Sequence, residues 1–252
     1  MLDSNTVAFS SVYFDSVQGK VLFNIWLLSR SGLNWTASVG ATMPSNVSSI
    51  SSMAALDANT LIVVGGTSTD RQVWLLARSG QTWAVQSIAS SATNGTLATQ
   101  MAGACAVSTG TSTADVFISN RSAQLLRMTM TLASSWTLVS APAILPLPGL
   151  PTNASGGLAI ACPASDPRHV YVIDEGLATL YDFLGTASWN SVSISAQYPA
   201  AGTATQRVNL PGPLGSMRFA DPISLSVIPG ASGLEFAVVD ILEPSVLYLK
   251  LR

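Results

Sequence analysis

Short apolar runs separated by small polar residues set the rhythm of this chain. In the clearest stretch, four runs rich in β-branched, aromatic or alternating residues span 51–56, 60–64, 72–77 and 82–87. Their length and composition are those of strands rather than helices. Gly65-Gly66 and Ser79-Gly80 lie between them and predict turns, because glycine accepts positive φ at little cost. No window of a dozen residues carries a 3.6-residue apolar period with caps, so helix is expected to be almost absent. The proline-rich stretch 142–151 and the segment 199–215 read as loops between units, since the pattern resumes on both sides.

The pattern also repeats. Trp26-Leu27-Leu28-Ser29-Arg30-Ser31-Gly32 and Trp35 recur 48 residues later as Trp74-Leu75-Leu76-Ala77-Arg78-Ser79-Gly80 and Trp83. Upstream, Leu2-Asp3-Ser4-Asn5-Thr6-Val7 recurs as Leu56-Asp57-Ala58-Asn59-Thr60-Leu61. A run at Gln124-Leu125-Leu126-Arg127-Met128 leads to Trp136, and one at Leu180-Tyr181-Asp182-Phe183 leads to Trp189. Trp35, Trp83, Trp136 and Trp189 thus mark successive units, and a fifth unit starts near Asp221 and includes Val246-Leu247-Tyr248-Leu249. A period of about 50 residues in a β-rich chain is the signature of propeller blades. The expected fold is all-β: one β-propeller domain over 1–252, built of four-stranded blades with about five units visible. Residue 2 aligns with the close of a first strand and residue 252 with the close of a third. The chain therefore reads as about four and a half units, an incomplete five- or six-bladed ring or a fragment of a longer protein.

Composition narrows the function classes. Of 252 residues 48% are hydrophobic, enough for a sizeable core, while only 10% are charged and the net charge is −2. The two lysines, Lys20 and Lys250, and the absence of a basic run argue against nucleic acid and against anionic membrane surfaces as partners. Mean hydropathy is positive, yet no apolar run approaches the ~20 residues of a spanning helix, so no direct membrane insertion is expected. Five Asn-x-Ser/Thr sequons, at Asn34, Asn46, Asn94, Asn120 and Asn153, are candidate glycosylation sites. With so little charge to confer solubility, they point to an extracellular or cell-surface setting. Met1-Leu2-Asp3-Ser4-Asn5 is neither basic nor followed by an apolar core, so the chain is either cytoplasmic or a piece of a longer precursor. Cys105 and Cys162, in comparable first strands of neighbouring units, are expected to be buried free thiols, with a disulfide between blades as the other arrangement.

Two resemblances follow from the repeat. Phe236-Ala237-Val238-Val239-Asp240 before Val246-Leu247-Tyr248-Leu249, and Val170-Tyr171-Val172-Ile173-Asp174 before Leu180-Tyr181-Asp182-Phe183, resemble the NHL-like six-bladed propeller families. In those families an apolar strand ends in Asp and a strand with an aromatic follows. Gly65 and Ser119 are read as standing at that Asp position in other units. Gly32 to Trp35 and Gly80 to Trp83 keep the spacing of the Asp box of sialidase-like propellers, with Arg30 and Arg78 in place of the defining Asp. The NHL-like resemblance implies, for its enzymes, carboxylates and Asn around a calcium ion. No such set matches residue by residue.

Candidate chemistry is sparse. The lone His169 has no second His or Cys cluster with which to share a metal, and it reads as a polar residue at a strand start; no metal or other cofactor is expected. Acyl transfer lacks its motif, with one His and no G-x-S-x-G. Asp174, Glu175, Asp182, Asp240 and Glu243 are the carboxylates available for glycoside hydrolysis. Asp174 and Asp240 fall at equivalent places in adjacent units, which favours a turn or cap role. The repeated tryptophans pack between sheets or, in the other reading, offer one sugar platform per blade. The expected function is therefore a non-catalytic binding or scaffold propeller presenting loops to a protein or glycan. The alternatives are a lectin with per-blade sites and a calcium-dependent lactonase-like or sialidase-like hydrolase.

Overall fold

In the computed structural model, residues 5–17, 19–80, 82–148, 158–174, 179–199, 222–228, 234–240 and 245–251 are described. They form five antiparallel sheets in chain order, arranged as the blades of a propeller. The first sheet is β1 (Thr6–Asp15), β2 (Lys20–Ser31) and β3 (Asn34–Thr42). The second is β4 (Val47–Asp57), β5 (Thr60–Thr67), β6 (Arg71–Ser79) and β7 (Thr82–Ser90). The third is β8 (Met101–Ser108), β9 (Thr113–Asn120), β10 (Leu125–Leu132) and β11 (Trp136–Leu145). The fourth is β12 (Leu158–Ala161), β13 (His169–Asp174), β14 (Thr179–Gly185) and β15 (Val192–Pro199). The fifth is β16 (Pro222–Ile228), β17 (Leu234–Asp240) and β18 (Ser245–Leu251). The only helical turn among the described residues is a short 3-10 segment, Gly95–Leu97, capped by Asn94.

Each sheet is a meander in which sequence neighbours pair, the arrangement that short turns and alternating strands favour. The first strands β4, β8, β12 and β16 neighbour one another, so they form the inner edge and the last strands the outer one. Middle strands of the second, third and fourth sheets are covered on both faces: every residue of β5 is buried, which accounts for its unbroken Leu61-Ile62-Val63-Val64 run. Outer strands such as β7 alternate between exposed and half-buried positions. Aligned on its partners, the first sheet carries the second, third and fourth strands of the unit, and the fifth sheet carries the first three.

Four apolar clusters lie between consecutive sheets. Leu61, Val63, Trp74 and Leu76 of the second sheet meet Ile25 and Leu27 of the first, while Ile62, Val64, Val73 and Leu75 meet the third. Alternate residues of each strand thus serve opposite neighbours. Phe117 packs with Phe183 and Trp189 between the third and fourth sheets, and Tyr171 with Phe236 between the fourth and fifth.

Two expectations need correction. Gly65 and Gly66 are not a turn; both lie inside β5, and the chain reverses after Thr67. The strand β4 bulges repeatedly against β5, and a Cβ at Gly65 would fall 2.1 Å from the Ser49 carbonyl oxygen. The glycine is there for close approach of backbones rather than for a turn. Cys105 and Cys162 are not free thiols: they form a disulfide across the third and fourth sheets, with Cα atoms 5.6 Å apart.

Candidate functional site

Because successive strands are antiparallel, the first-to-second and third-to-fourth turns of every blade share one rim. Backbone bonds join them: Arg78 N–H donates to the Asn59 carbonyl at 2.8 Å, and Arg30 N–H to that of Asn5 at 2.7 Å. In the third-to-fourth turns, Gly32 and Gly80 adopt φ of 61° and 62°, the left-handed region glycine enters freely. The arginines that replace the Asp-box carboxylate clasp these turns. Arg30 Nε donates to Gly32 O at 2.8 Å and Arg78 Nε to Gly80 O at 3.0 Å.

The repeated tryptophans stand on this rim in four different settings. Trp83 is half-buried against the first sheet. Trp136 is 8% exposed, and its indole Nε1–H donates to Asp57 Oδ2 of the preceding blade at 2.6 Å. Trp189 lies in the turn before β15 at φ 55°, rather than on the strand like the others, and its ring centre is 4.5 Å from that of Phe117. Trp35 is 49% exposed beneath the Arg30 guanidinium, 5.9 Å from its ring centre.

The ionisable groups of the rim are also joined to neighbours. Asp115, 2% exposed, accepts from Arg127 Nη2 at 2.9 Å and from Thr129 Oγ1 at 2.9 Å. Arg127 Nη1 crosses to the Ser188 carbonyl of the next blade at 2.7 Å. His169 opens β13, with Nδ1 2.6 Å from Asp182 Oδ1 and Nε2 3.5 Å from Asp166 Oδ2. Burial pushes the Tyr171 phenol well above its usual range, and the negative charge of Asp182 adds to the shift. Among the described residues no group of three His, Cys, Asp or Glu is placed to hold a metal ion.

The opposite rim carries side-chain caps. Asp15 Oδ1 accepts from Val17 N–H at 2.9 Å, and Asp70 binds Ser91, the Ala92 N–H and Gln72. Desolvation alone would raise the Asp70 carboxyl, but these donors together hold it below the ordinary value. Asp174, 1% exposed, closes β13 opposite Thr179. Asp240 closes β17 opposite Ser245, although its side chain, like Glu175 and Glu243, lies outside the described residues. Val116-Phe117-Ile118-Ser119-Asn120 faces the two adjacent blades as Val170-Tyr171-Val172-Ile173-Asp174 does. The counterpart of Asp174 is therefore Asn120, not Ser119. Asn120 Oδ1 accepts from the Ser122 and Gln124 N–H groups, each at 3.0 Å, and its Nδ2 donates to Gln124.

That role removes Asn120 from the glycan acceptors: it is 0% exposed, and a glycan cannot be seated there in the folded chain. Asn94 Nδ2 donates to the Pro142 carbonyl at 2.8 Å. Asn34 and Asn46 are exposed, and Asn153 lies outside the described residues. The Asp57 and Arg127 ties were not singled out in the sequence. Asp57 carried a signal, since it belongs to the Leu-Asp-x-Asn-Thr repeat; the Asp115–Arg127 pair has no local spacing that marks it.

No protein-family model and no curated protein matches the sequence. Solved propeller structures do match. A supposed phosphatase of Bacteroides thetaiotaomicron is 16% identical with TM-score 0.58, over 96% of this chain and 56% of its own. An auxiliary nutrient binding protein of the same organism is 14% identical with TM-score 0.55, over 95% of this chain and 54% of its own. AofleA of Arthrobotrys oligospora is 14% identical with TM-score 0.50, over 96% of this chain and 67% of its own. At such identities the likeness establishes a shared fold and nothing finer. The chain spans only about half to two thirds of these proteins.

Proposed function

We propose that this chain is a non-catalytic propeller that presents its rim turns to a protein or glycan partner outside the cell. The observation that carries the reading is how the rim spends its ionisable groups. Asp57, Asp115, Arg127, His169 and Asp182 each hold a neighbouring strand or blade, whereas catalysis needs a base or acid aimed at a bound substrate. The Cys105–Cys162 disulfide supports an oxidising compartment, and glycans on the exposed Asn34 and Asn46 belong to the same proposal. The auxiliary nutrient binding protein that shares the fold supports binding by analogy. The NHL-like kinship of the two C-terminal blades is likewise part of this proposal, resting on the Asp174 and Asp240 strand ends.

A lectin is the second reading, favoured by the half-exposed Trp35 ring. Both are tested by passing labelled chain over arrays of glycans and of secreted proteins, alongside a panel of phosphate-ester and glycoside substrates. Saturable binding to a protein or glycan without turnover is expected. Turnover that tracks the purified chain would overturn the non-catalytic reading. Glycan binding abolished by Trp35→Ala would select the lectin.

A further inference from the structure

The His169 imidazole stands between two carboxylates. Asp182, buried on β14, approaches Nδ1 at 2.6 Å, and Asp166 Oδ2, in the turn between β12 and β13, lies 3.5 Å from Nε2. That turn is closed by backbone bonds: Asp166 N–H donates to the Pro163 carbonyl and His169 N–H to the Asp166 carbonyl, each at 3.2 Å. Asp166 Oδ1 accepts from the Arg168 N–H at 3.3 Å, which leaves Oδ2 to face the imidazole. Tyr171 lies nearly parallel to the ring, with centres 6.1 Å apart. Both groups are thus fixed in place, and both reach solvent, the His169 and Asp166 side chains being 18% and 46% exposed. A neutral imidazole carries one ring proton. The short contact puts it on Nδ1, facing Asp182, so Nε2 turns a lone pair toward the lone pairs of Asp166. Only a positive charge between them, a second proton or a metal ion, reconciles two acceptors that face each other. An N–H···O bond would draw the two atoms to ~2.7–3.2 Å. Metal bonds of ~2.0–2.2 Å at a tetrahedral angle would instead hold them about 3.4 Å apart, close to the 3.5 Å found.

We infer that His169 Nε2 and Asp166 Oδ2 together bind a divalent transition-metal ion of the zinc or copper class, with Asp182 orienting the imidazole through Nδ1. Imidazole is a ligand suited to both ions, and zinc also accepts carboxylate oxygen. A carboxylate on the far ring nitrogen is the partner that metal-binding histidines ordinarily have, fixing the tautomer and raising the basicity of the ligand. Sequence spacing hides such a site, since Asp182 lies 13 residues from His169 on the next strand and no second His is present. Two protein ligands leave the remaining positions of the ion to water or to a donor on a partner. A structural zinc site, by contrast, is closed by four protein ligands. The inference is independent of the ligand proposed for the rim.

His169 is the only histidine in the chain and Cys105 and Cys162 are joined to each other, so in the untagged full chain a metal-bound imidazole can only be that of His169. Calorimetric titration with Zn2+ and electron spin-echo spectroscopy of added Cu2+ test the site at neutral pH. One equivalent of zinc should bind, and copper should couple to a single imidazole. His169→Gln should abolish both signals. Asp182→Asn should weaken zinc binding ~10–100-fold, and Asp166→Asn, which removes a ligand, by at least as much. Circular dichroism melts check that the variants are folded. If His169→Gln or Asp182→Asn is not, the wild type and the exposed Asp166→Asn carry the test by NMR of the His169 ring. Zinc at fixed pH should then shift the ring signals of the wild type and leave those of Asp166→Asn in place. A wild type that binds no zinc overturns the inference, as does zinc binding undiminished by His169→Gln or by Asp166→Asn. Ring signals that follow pH but not zinc overturn it too, since His169 would then be only an imidazolium paired with its carboxylates.

Discussion

Replacing Trp136 with Phe isolates one hydrogen bond between blades. Trp136 opens β11 at 8% exposure, and its indole N–H reaches Asp57 Oδ2 on the neighbouring sheet at 2.6 Å. Phe keeps most of the apolar contact with the second blade but leaves the carboxylate without that donor. A hydrogen bond to a charged group contributes ~1.5–3 kcal/mol, and water reaches the half-buried Asp57, so the lower part of that range applies. The expected loss is about 1.5–2 kcal/mol. In a domain of this size each kcal/mol moves Tm by ~2–4 °C, which places the variant ~3–8 °C below wild type. Trp136→Ala, which also opens a cavity, should lose ~3–5 kcal/mol. Asp57→Ala removes the indole acceptor together with the Asn59 N–H bond, at 2.8 Å, that shapes the turn. The double-mutant cycle cancels the second effect and should leave a coupling of about 1–2 kcal/mol between Trp136 and Asp57. Urea or thermal denaturation of the four proteins reads it. Additive losses would refute the view that this bond joins the blades.

The disulfide and the ionisable groups give further expectations. Closing a loop with a sequence separation of 57 stabilises by about 4 kcal/mol in the chain-entropy treatment, so Cys105→Ser/Cys162→Ser or reduction should lower Tm by ~8–16 °C; an unchanged Tm would contradict it. Asp70 has a folded-state pKa below its ordinary 3.8, so its contribution is full above that value and is lost as pH falls below it. Asp70→Asn should lower stability at neutral pH and flatten the acid limb of the stability-pH curve below pH 4, where the variant converges on wild type; an acid limb identical to that of wild type would contradict this. Burial and the nearby Asp182 charge raise the folded-state pKa of Tyr171 above the ordinary 10.0, so its contribution is full below pH 10 and declines as pH rises beyond it. Tyr171→Phe should reduce the alkaline loss, read by fluorescence-monitored unfolding, and an unaltered alkaline limb would count against the assigned burial.

Much of the fold is legible because the repeat constrains it. The Trp26 and Trp74 segments share a period that a propeller alone explains, and β5, β6 and β7 fall where their apolar runs place them. The misread glycines show the limit of local reasoning: Gly65 and Gly66 look like turn residues, yet they serve the approach of β4, a tertiary demand that the turn rule does not carry. Ser119 stands one residue from the counterpart of Asp174, and only the burial of alternate residues against the two adjacent blades fixes that register. The site was the least legible part. Trp136 is visible as a repeat, but its acceptor lies 79 residues away, and Arg127 reaches 61 residues along the chain to Ser188. The Cys105–Cys162 bond depends on two strands of different blades lying side by side, which spacing in sequence does not specify.

Peptide mapping of the protein from its native source, under non-reducing conditions, bears most directly on a binding propeller that works outside the cell. Cys105 and Cys162 should be recovered in one linked peptide pair, with glycan on Asn34 or Asn46 and none on the buried Asn120. Free thiols at both cysteines together with bare asparagines would contradict the extracellular assignment and send the search for a partner inside the cell.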